Sequence, residues 1–402
     1  MYISRLRLEN IRGFRELDFD LRGPDGTPRR RTVIIGKNGT CKTTVLRALA
    51  VGLCDWNDAV PLLEEPIGEF LAAGSSMGSM YLELGDLPLK WELTRRDGRQ
   101  VVDLRQKVRV GAGSGTNSPW FVCGYGAGRF GVGTDTGRDY RVAESVYTLF
   151  DYRRTLLDPE LTLRRLNDSL SSETLQKILQ CINTALGLTP AAEIRLPKGG
   201  GVEISGPSIG GAVRLEGWAD GYRLTLSWLL DLYGWALRAA RIDAEGHITG
   251  ILLIDEIEQH LHPSMQAEIL PRLSKALPKM QIFATTHSPL VALDARPEEL
   301  VVLRREGDHV VAEPAVPDFS GYSAEDMLAD ERLFDTEVYA PEMQEKVVRY
   351  RSLSAVPFEV RGAAESRELR DLALEIGARP APASRESDMV RELKRLVEKH
   401  NL

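Results

Sequence analysis

One stretch near the N-terminus has the residue types and the spacing of a phosphate-binding loop. Gly36–Thr43 runs Gly-Lys-Asn-Gly-Thr-Cys-Lys-Thr and follows the pattern G-x-x-x-x-G-K-[ST], with Cys41 in place of the second glycine. Backbone N–H groups in such a loop surround phosphate oxygens. Lys42 is predicted to contact the β- and γ-phosphates, and Thr43 to bind Mg²⁺. The predicted ATP-binding residues are Gly36, Lys37, Asn38, Gly39, Thr40, Cys41, Lys42, Thr43 and Thr44. The alternative is a glycine-rich turn with a chance lysine.

Cys41 is the one departure from this pattern. Cysteine is small, so the loop can keep its conformation if the backbone at this position does not need a positive φ. If a positive φ is needed, phosphate affinity or hydrolysis should suffer. The sequence therefore casts more doubt on turnover than on binding.

An acidic pair follows a hydrophobic stretch much later in the chain. Ile251–Ile254 is a continuous apolar run, and Asp255 and Glu256 come directly after it. Asp255 is predicted to hold Mg²⁺ together with Thr43, and Glu256 to act as the general base on the attacking water. The alternative is a strand followed by a polar helix cap.

Histidines supply the last candidate groups. His287 follows the apolar run 281–284, where an imidazole can hydrogen-bond a γ-phosphate or the attacking water; the alternative is a loop histidine. His260 and His262 form an H-x-H pair that zinc can use. We expect them instead to order the turn into a helix, with Pro263 in its first turn.

These groups need a parallel sheet to bring them together. The apolar runs 32–35, 251–254 and 281–284 predict buried strands, and 44–53 predicts the helix after the phosphate loop. Alternating residues before position 22 predict a hairpin. Residues 131–190 are mainly helical in pattern, and charged amphipathic helices are predicted after Ser323.

Composition limits the class of protein. The chain has 402 residues, 43% hydrophobic and 27% charged, with a net charge of −7. This balance indicates a globular protein with a sizeable core, and its mean field repels nucleic acid. Four scattered cysteines, no apolar leader and no apolar run near 20 residues predict a cytoplasmic protein without a membrane span.

Together these motifs resemble the ABC-type ATPase heads of the SMC/RecF/OLD group. The opening run Leu6–Phe14 looks like that group's first hairpin. Asp255–Pro263 (D-E-x-E-x-H-L-H-P) and Thr286–Pro289 (T-H-S-P) are similar to compact OLD-like and Septu-type (PtuA-like) anti-phage defence ATPases. The resemblance implies an α/β P-loop NTPase fold with an antiparallel β lobe. It further implies an N-terminal head part at 1–130, a helical insertion at 131–214, a second head part at 215–318 and a helical appendage at 319–402.

The resemblance also places two further motifs. The family's signature motif, which contacts the γ-phosphate held by the other subunit, falls on Ala219, Asp220, Gly221 and Tyr222. Ala219 replaces the family's serine, so one hydrogen bond is lost. The Q-loop position falls on Gly124–Arg129 without a glutamine, and Arg129 serves as a phosphate or interface contact or in a structural role.

The function implied is a magnesium-dependent ATPase that forms a homodimer, or a higher even oligomer, around ATP. Two weakened motifs indicate slow turnover and thus a switch. No late Glu and D-x-D arrangement of a TOPRIM nuclease is found, so a separate nuclease effector is the expected partner, as in Septu-type systems. The helices after Ser323 are either its docking surface or a solvated appendage.

Two other functions stay open. A RecF-like DNA-repair ATPase would bind DNA directly through basic clusters, namely Arg5/Arg7, Arg12/Arg15, Arg29–Arg31, Arg153/Arg154 and Arg164/Arg165. A non-hydrolysing ATP-binding scaffold would explain Cys41 and Ala219. A transporter subunit fits least, because the opening hairpin and the Asp255–Pro263 run look unlike that branch.

Overall fold

The computed structural model divides into two compact units, a main unit at Met1–Asp335 and a C-terminal unit at Thr336–Leu402. It describes residues 1–64, 69–96, 99–103, 119–129, 131–133, 139–189, 192–197, 200–206, 211–314, 319, 321–336, 339–354, 356 and 362–377. Residues 378–402, at the end of the predicted helical appendage, lie outside these residues. The predicted four-part division of the chain stays a prediction.

A six-stranded sheet forms the centre of the main unit. In chain order its strands are β3 (Arg31–Gly36), β7 (Val122–Tyr125), β11 (Gly250–Ile254), β12 (Met280–Thr285), β13 (Leu300–Glu306) and β14 (His309–Pro314). Their spatial order is β14-β13-β3-β12-β11-β7, and all neighbours pair in parallel except β13 and β14. The three predicted buried strands are β3, β11 and β12, and they lie side by side. Their carboxyl ends therefore meet at one edge of the sheet.

A five-stranded antiparallel lobe contains the N-terminus. Its strands are β1 (Ile3–Ile11), β2 (Phe14–Asp20), β4 (Met77–Leu84), β5 (Leu87–Arg96) and β6 (Arg99–Asp103), in the order β2-β1-β4-β5-β6. The predicted hairpin is the β1–β2 pair, in which Leu8 is opposite Leu17. Its inward side chains are buried in the core, as the alternating sequence requires.

Helices cover the central sheet. They are α1 (Lys42–Gly52), α2 (Trp56–Glu64), α3 (Val142–Val146), α4 (Pro159–Ser169), α5 (Ser172–Leu186), α6 (Asp220–Arg238), α7 (Pro263–Gln266), α8 (Ile269–Ala276) and α9 (Pro289–Ala292). The long helix α6 packs against α4 and α5, and α5 packs against α8. The segment between α5 and α6 also carries a small sheet of β8 (Glu193–Arg195), β9 (Glu203–Ser205) and β10 (Val213–Arg214).

The last helices are α10 (Ala324–Ala329) in the main unit and α11 (Pro341–Ser354) and α12 (Ala363–Gly377) in the C-terminal unit. Helices α11 and α12 contact each other, and ion pairs join Lys346 to Glu375 and Arg349 to Glu368. Within the described parts of the chain, every helix is too short or too polar to cross a membrane.

Candidate nucleotide-binding site

Side chains of the loop between β3 and α1 donate hydrogen bonds to the loop's own backbone oxygens. The Thr40 hydroxyl donates to the carbonyl oxygen of Lys37 at 2.8 Å. At Gly36 the φ angle is +152°, and a Cβ there would lie 2.5 Å from the Leu303 oxygen, so only glycine fits. The Lys42 Nζ donates to the oxygens of Gly36 at 2.7 Å and Lys37 at 3.1 Å. The ammonium thus lies within the loop that is predicted to receive phosphate.

Cys41 adopts the conformation that the sequence left in question. Its φ is 64° and its ψ is 26°, which is the left-handed region, and it is the N-cap of α1 without a side-chain cap. A left-handed conformation costs a residue with a Cβ about 1–2 kcal/mol. An unstrained loop required that Cys41 need no positive φ, and the structure does not meet this condition. The Cys41 Sγ fits because its neighbour is Gly13, where a Cβ would lie only 2.9 Å away.

Asp255 receives two hydroxyl hydrogen bonds where the ends of β11 and β12 meet the first turn of α1. The Thr43 Oγ1 donates to its Oδ2 at 2.7 Å, and the Thr285 Oγ1 donates to its Oδ1 at 2.6 Å. The carboxylate is buried. A hydroxyl and a carboxylate are the hard oxygen donors that Mg²⁺ prefers, and phosphates and waters would supply the other ligands. Among the residues that the structure describes, no group of three or more His, Cys, Asp or Glu side chains could hold a metal ion.

Glu256 follows in a strained backbone position. Its φ is 47°, and its N–H donates to the Thr285 Oγ1 at 2.8 Å. Burial raises the pKa of its carboxyl group, and the nearby charges of Asp255 and Glu258 raise it further, while Lys42 and Arg129 lower it. A carboxylate with a raised pKa is a better proton acceptor, as a general base requires.

Arg129 donates hydrogen bonds to the backbone of the turn formed by Asp255 and Glu256. Its guanidinium donates to the oxygens of Asp255 at 2.6 Å, Glu256 at 2.9 Å and Gly126 at 3.1 Å, and the side chain is 5% exposed. Burial lowers its pKa to about 10, so it remains a cation at neutral pH. Among the roles left open for Arg129, these contacts favour the structural one, in which it fixes the backbone that carries Glu256.

Glu258 was quoted in a motif but not predicted as a site residue. Its Oε2 accepts from the Thr286 hydroxyl at 2.7 Å, and its Oε1 accepts from the His287 N–H at 2.6 Å. It thereby fixes the turn that carries His287 beside the acidic pair. Burial lowers the pKa of His287, and Lys42 lowers it further, so the imidazole is neutral at pH 7. His262, as expected, caps the turn into α7, where Pro263 is the first residue.

The signature-like residues lie at the start of α6. Ala219 is the N-cap and has no side-chain hydrogen bond to the helix, and Ala219 and Asp220 are exposed. A Cβ on Gly221 would lie 2.8 Å from the oxygen of His260, so the helix start packs on the turn after Asp255 in the same chain. The Tyr222 ring contacts the Trp218 ring. The structure thus places this helix start against the backbone of His260, with its first residues accessible.

Several arginines that were considered for DNA contact pair with carboxylates. Arg5 and Arg7 both pair with Asp18, Arg15 pairs with Asp308, and Arg31 pairs with Asp294 and Glu299. Arg153 and Arg164 pair with Asp151 and Glu160. These partners neutralise much of the charge that a phosphate backbone would need.

Family models match both halves of this site. Residues 5–67 match a model described as an AAA domain, and residues 225–294 match one described as an AAA domain, putative AbiEii toxin, Type IV TA system. With the sheet order and the loop after β3, they confirm the predicted P-loop α/β fold and the prediction of an ATPase.

Individual proteins are similar as well. The chain is 25% identical to the Septu protein PtuA of Bacillus mycoides (strain KBAB4) over 367 residues, which cover 89% of this chain and 48% of that relative. It is 60% identical to the Retron Ec83 probable ATPase of Escherichia coli over 43 residues, 11% of this chain and 8% of that one. These matches confirm the predicted resemblance to defence ATPases, and the chain spans about half or less of these relatives. A solved SMC head domain from Thermotoga maritima aligns with a TM-score of 0.43 and 14% identity over 79% of this chain and 100% of that one.

Proposed function

We propose that the chain is a slowly hydrolysing ABC-type ATPase that binds ATP with Mg²⁺, dimerises around it and gates a separate nuclease effector in anti-phage defence. The observation that carries this proposal is the meeting of Lys42, Thr43 and Asp255 at the carboxyl edge of the sheet. There the Thr43 hydroxyl lies 2.7 Å from the Asp255 carboxylate, and Glu256 follows on a fixed turn.

The roles of the residues follow from this arrangement. Bound Mg²⁺ would neutralise charge on the phosphates, with Thr43 and Asp255 as its protein ligands. Lys42 would leave its loop carbonyls for the phosphates. Glu256 would take a proton from water, held in place by Arg129, while neutral His287 would hydrogen-bond the phosphate or that water.

Dimerisation is supported by the exposed start of α6. Ala219 and Asp220 are accessible, and the helix N-terminus carries N–H groups that favour an anion. In a two-headed assembly, each α6 start would complete the site of the other subunit. ATP, with a γ-phosphate that ADP lacks, would then stabilise the dimer, and hydrolysis would release it.

Slow turnover is supported by the strained backbone of Cys41 and by the missing hydroxyl at Ala219. The same two features favour one second candidate, a scaffold that binds ATP without hydrolysing it. The role in defence and the nuclease partner rest on the resemblance to the Septu and retron proteins, and the helices α11 and α12 are the proposed docking surface.

Turnover of the full chain tests the catalytic proposal. Glu256→Gln should reduce ATP hydrolysis by about 10²- to 10⁴-fold, because general-base catalysis contributes that much. In the parent chain, hydrolysis should fall as the pH falls through the raised pKa of Glu256, since only the charged carboxylate accepts a proton. Glu16→Gln, at an exposed position of β2, is the matched control. Hydrolysis that is rapid in the parent would exclude a slow switch, and none in either chain would favour the scaffold.

Sizing with ATP, ADP and no nucleotide tests the switch. The parent and Glu256→Gln should form dimers with ATP, and the dimer of Glu256→Gln should last longer because its ATP persists. Lys42→Ala should remain monomeric under all three conditions. Identical elution of all samples would contradict ATP-dependent dimerisation.

A further inference from the structure

A short segment at the end of the main unit reaches the phosphate loop. We name Tyr322–Asp335 the strap. It contains α10, which contacts α9, the helix just after His287. Leu333 and Phe334 are buried in the core, and the next residue, Asp335, is exposed. The first part of the strap therefore lies beside the helix that follows His287. Its last residue, Asp335, directly follows the buried Phe334.

Asp335 forms an ion pair with the loop itself. Its Oδ2 lies 2.6 Å from the Nζ of Lys37, the second residue of the phosphate loop, and the two side chains are 54% and 60% exposed. On the same loop, the Lys37 oxygen accepts the Lys42 ammonium at 3.1 Å. The Asp335 carboxylate thus forms an ion pair with Lys37, a cation in the loop that is proposed to hold nucleotide phosphates.

The turn that presents Asp335 is organised by Asp330. Its side chain accepts from the Tyr322 hydroxyl at 3.0 Å and from the Arg332 N–H at 2.8 Å, and Arg332 lowers its pKa to about 2. Its backbone oxygen accepts from the N–H groups of Leu333 and Asp335. Asp335 has a φ of 47°, a left-handed conformation that this turn imposes and that aspartate tolerates better than most residues. The backbone turn that presents the carboxylate is therefore held by hydrogen bonds within the strap.

We propose that Asp335 competes with nucleotide phosphate for Lys37, so that ATP binding and docking of the strap oppose each other. This inference rests on the proposed function, since it requires ATP in the loop. The phosphates and the carboxylate are both anions, and one ammonium cannot fully neutralise both. Competition is reciprocal: the strap weakens ATP binding, and ATP weakens strap docking by the same factor.

The size of the effect follows from the exposure of the pair. Exposed ion pairs contribute little, which corresponds to roughly a 1.5- to 5-fold change in affinity. Asp335→Asn should therefore tighten the binding of a non-hydrolysable ATP analogue by roughly that factor, as measured by calorimetry on the full chain. The difference between variant and parent should shrink at high salt, because ions screen exposed pairs.

Glu331→Gln is the matched control, since Glu331 is exposed in the same strap and the substitution removes the same charge. It should bind the analogue like the parent. Equal affinity of Asp335→Asn and the parent, or weaker binding by the variant, would overturn the inference. If the parent binds no analogue at all, the proposed function fails instead.

Amide hydrogen exchange gives a second, independent measurement. In the parent, the analogue should speed exchange in peptides that cover Leu333–Thr336. In Asp335→Asn without nucleotide, exchange there should already be faster, while α10 should exchange as in the parent. Slower exchange of these peptides on analogue binding would show that ATP orders the strap and would overturn competition.

Discussion

The edge of the sheet that carries the phosphate loop and Asp255 differs from the start of α6 in how complete its contacts are. At the edge, Asp255 is buried and accepts two hydroxyl donors, and Arg129 binds three backbone oxygens. At the start of α6, Ala219 caps nothing with its side chain, and Asp220 is exposed. The first region is completed by contacts within the chain. The second packs through Gly221 against His260 and leaves Ala219 and Asp220 exposed.

This difference separates two kinds of preorganisation. Buried polar groups need partners inside the chain, so the arrangement around Asp255 is determined by folding alone. Exposed N–H groups at a helix start are satisfied by water and can exchange it for another ligand. Three sets of variants test this contrast, beginning with the largest expected effect.

Arg129→Ala should break the preorganised edge. It removes one donor from each of the carbonyl oxygens of Gly126, Asp255 and Glu256, of which the last still accepts from the Gln259 N–H. We expect a loss of about 3 kcal/mol in the free energy of unfolding. Turnover should fall more than ATP affinity does, because Glu256 loses its fixed backbone. Denaturation in urea and steady-state kinetics measure the two effects.

Arg129→Lys is the control that keeps the charge but not the planar fork, so it should recover only part of the stability. A stable Arg129→Ala with weakened ATP binding and unchanged turnover would show instead that Arg129 acts on phosphate.

Substitutions at the start of α6 should have opposite signs at neighbouring positions. Gly221→Ala would place a Cβ 2.8 Å from the His260 oxygen, and it should destabilise the chain by about 1–2 kcal/mol despite alanine's higher helix propensity. Ala219→Ser adds an N-cap hydroxyl and should stabilise by about 1 kcal/mol. Thermal or urea denaturation of both variants tests this. A stabilising Gly221→Ala would mean that the helix start does not rest on the turn after Asp255.

The smallest effect concerns the strained loop. At φ 64° only glycine avoids the cost of a Cβ, so Cys41→Gly should be more stable than Cys41→Ala by about 1 kcal/mol. Cys181 lies inside α5, where the order should reverse and alanine should be the more stable by about 1 kcal/mol. The same order at both positions would contradict a left-handed Cys41. Urea denaturation of the four variants provides the comparison.

Much of the carboxyl edge of the central sheet, where β3, β11 and β12 end, could be predicted from local sequence. The apolar runs before Gly36, Asp255 and Thr285 indicated three buried strands, and the groups placed at their ends do meet. This prediction succeeds because parallel strands put their carboxyl ends at one edge, whatever the distance between them in the chain. Glu258 was present in a quoted motif, and its spacing after Asp255 was the available signal for its contact with the His287 turn.

Other features had no local signal. The sequence left open whether Arg129 contacts phosphate or has a structural role. In the fold, β7 pairs with β11, and the Arg129 guanidinium donates to the carbonyl oxygens of Asp255 and Glu256. The Cys41 Sγ lies against Gly13, which belongs to the hairpin of the antiparallel lobe and is 28 positions earlier in the chain. Asp335 meets Lys37 from the far end of the main unit.

The sequence by itself determined the strands, the phosphate loop and the identity of the charged groups, because hydrophobic periodicity and short motifs act over a few residues. The tertiary structure decided which charge faces which partner: Arg129 the acidic turn, Glu258 the His287 turn and Asp335 the loop lysine. These pairings join residues that are distant in the chain, and their energies depend on burial and distance, which no local pattern encodes.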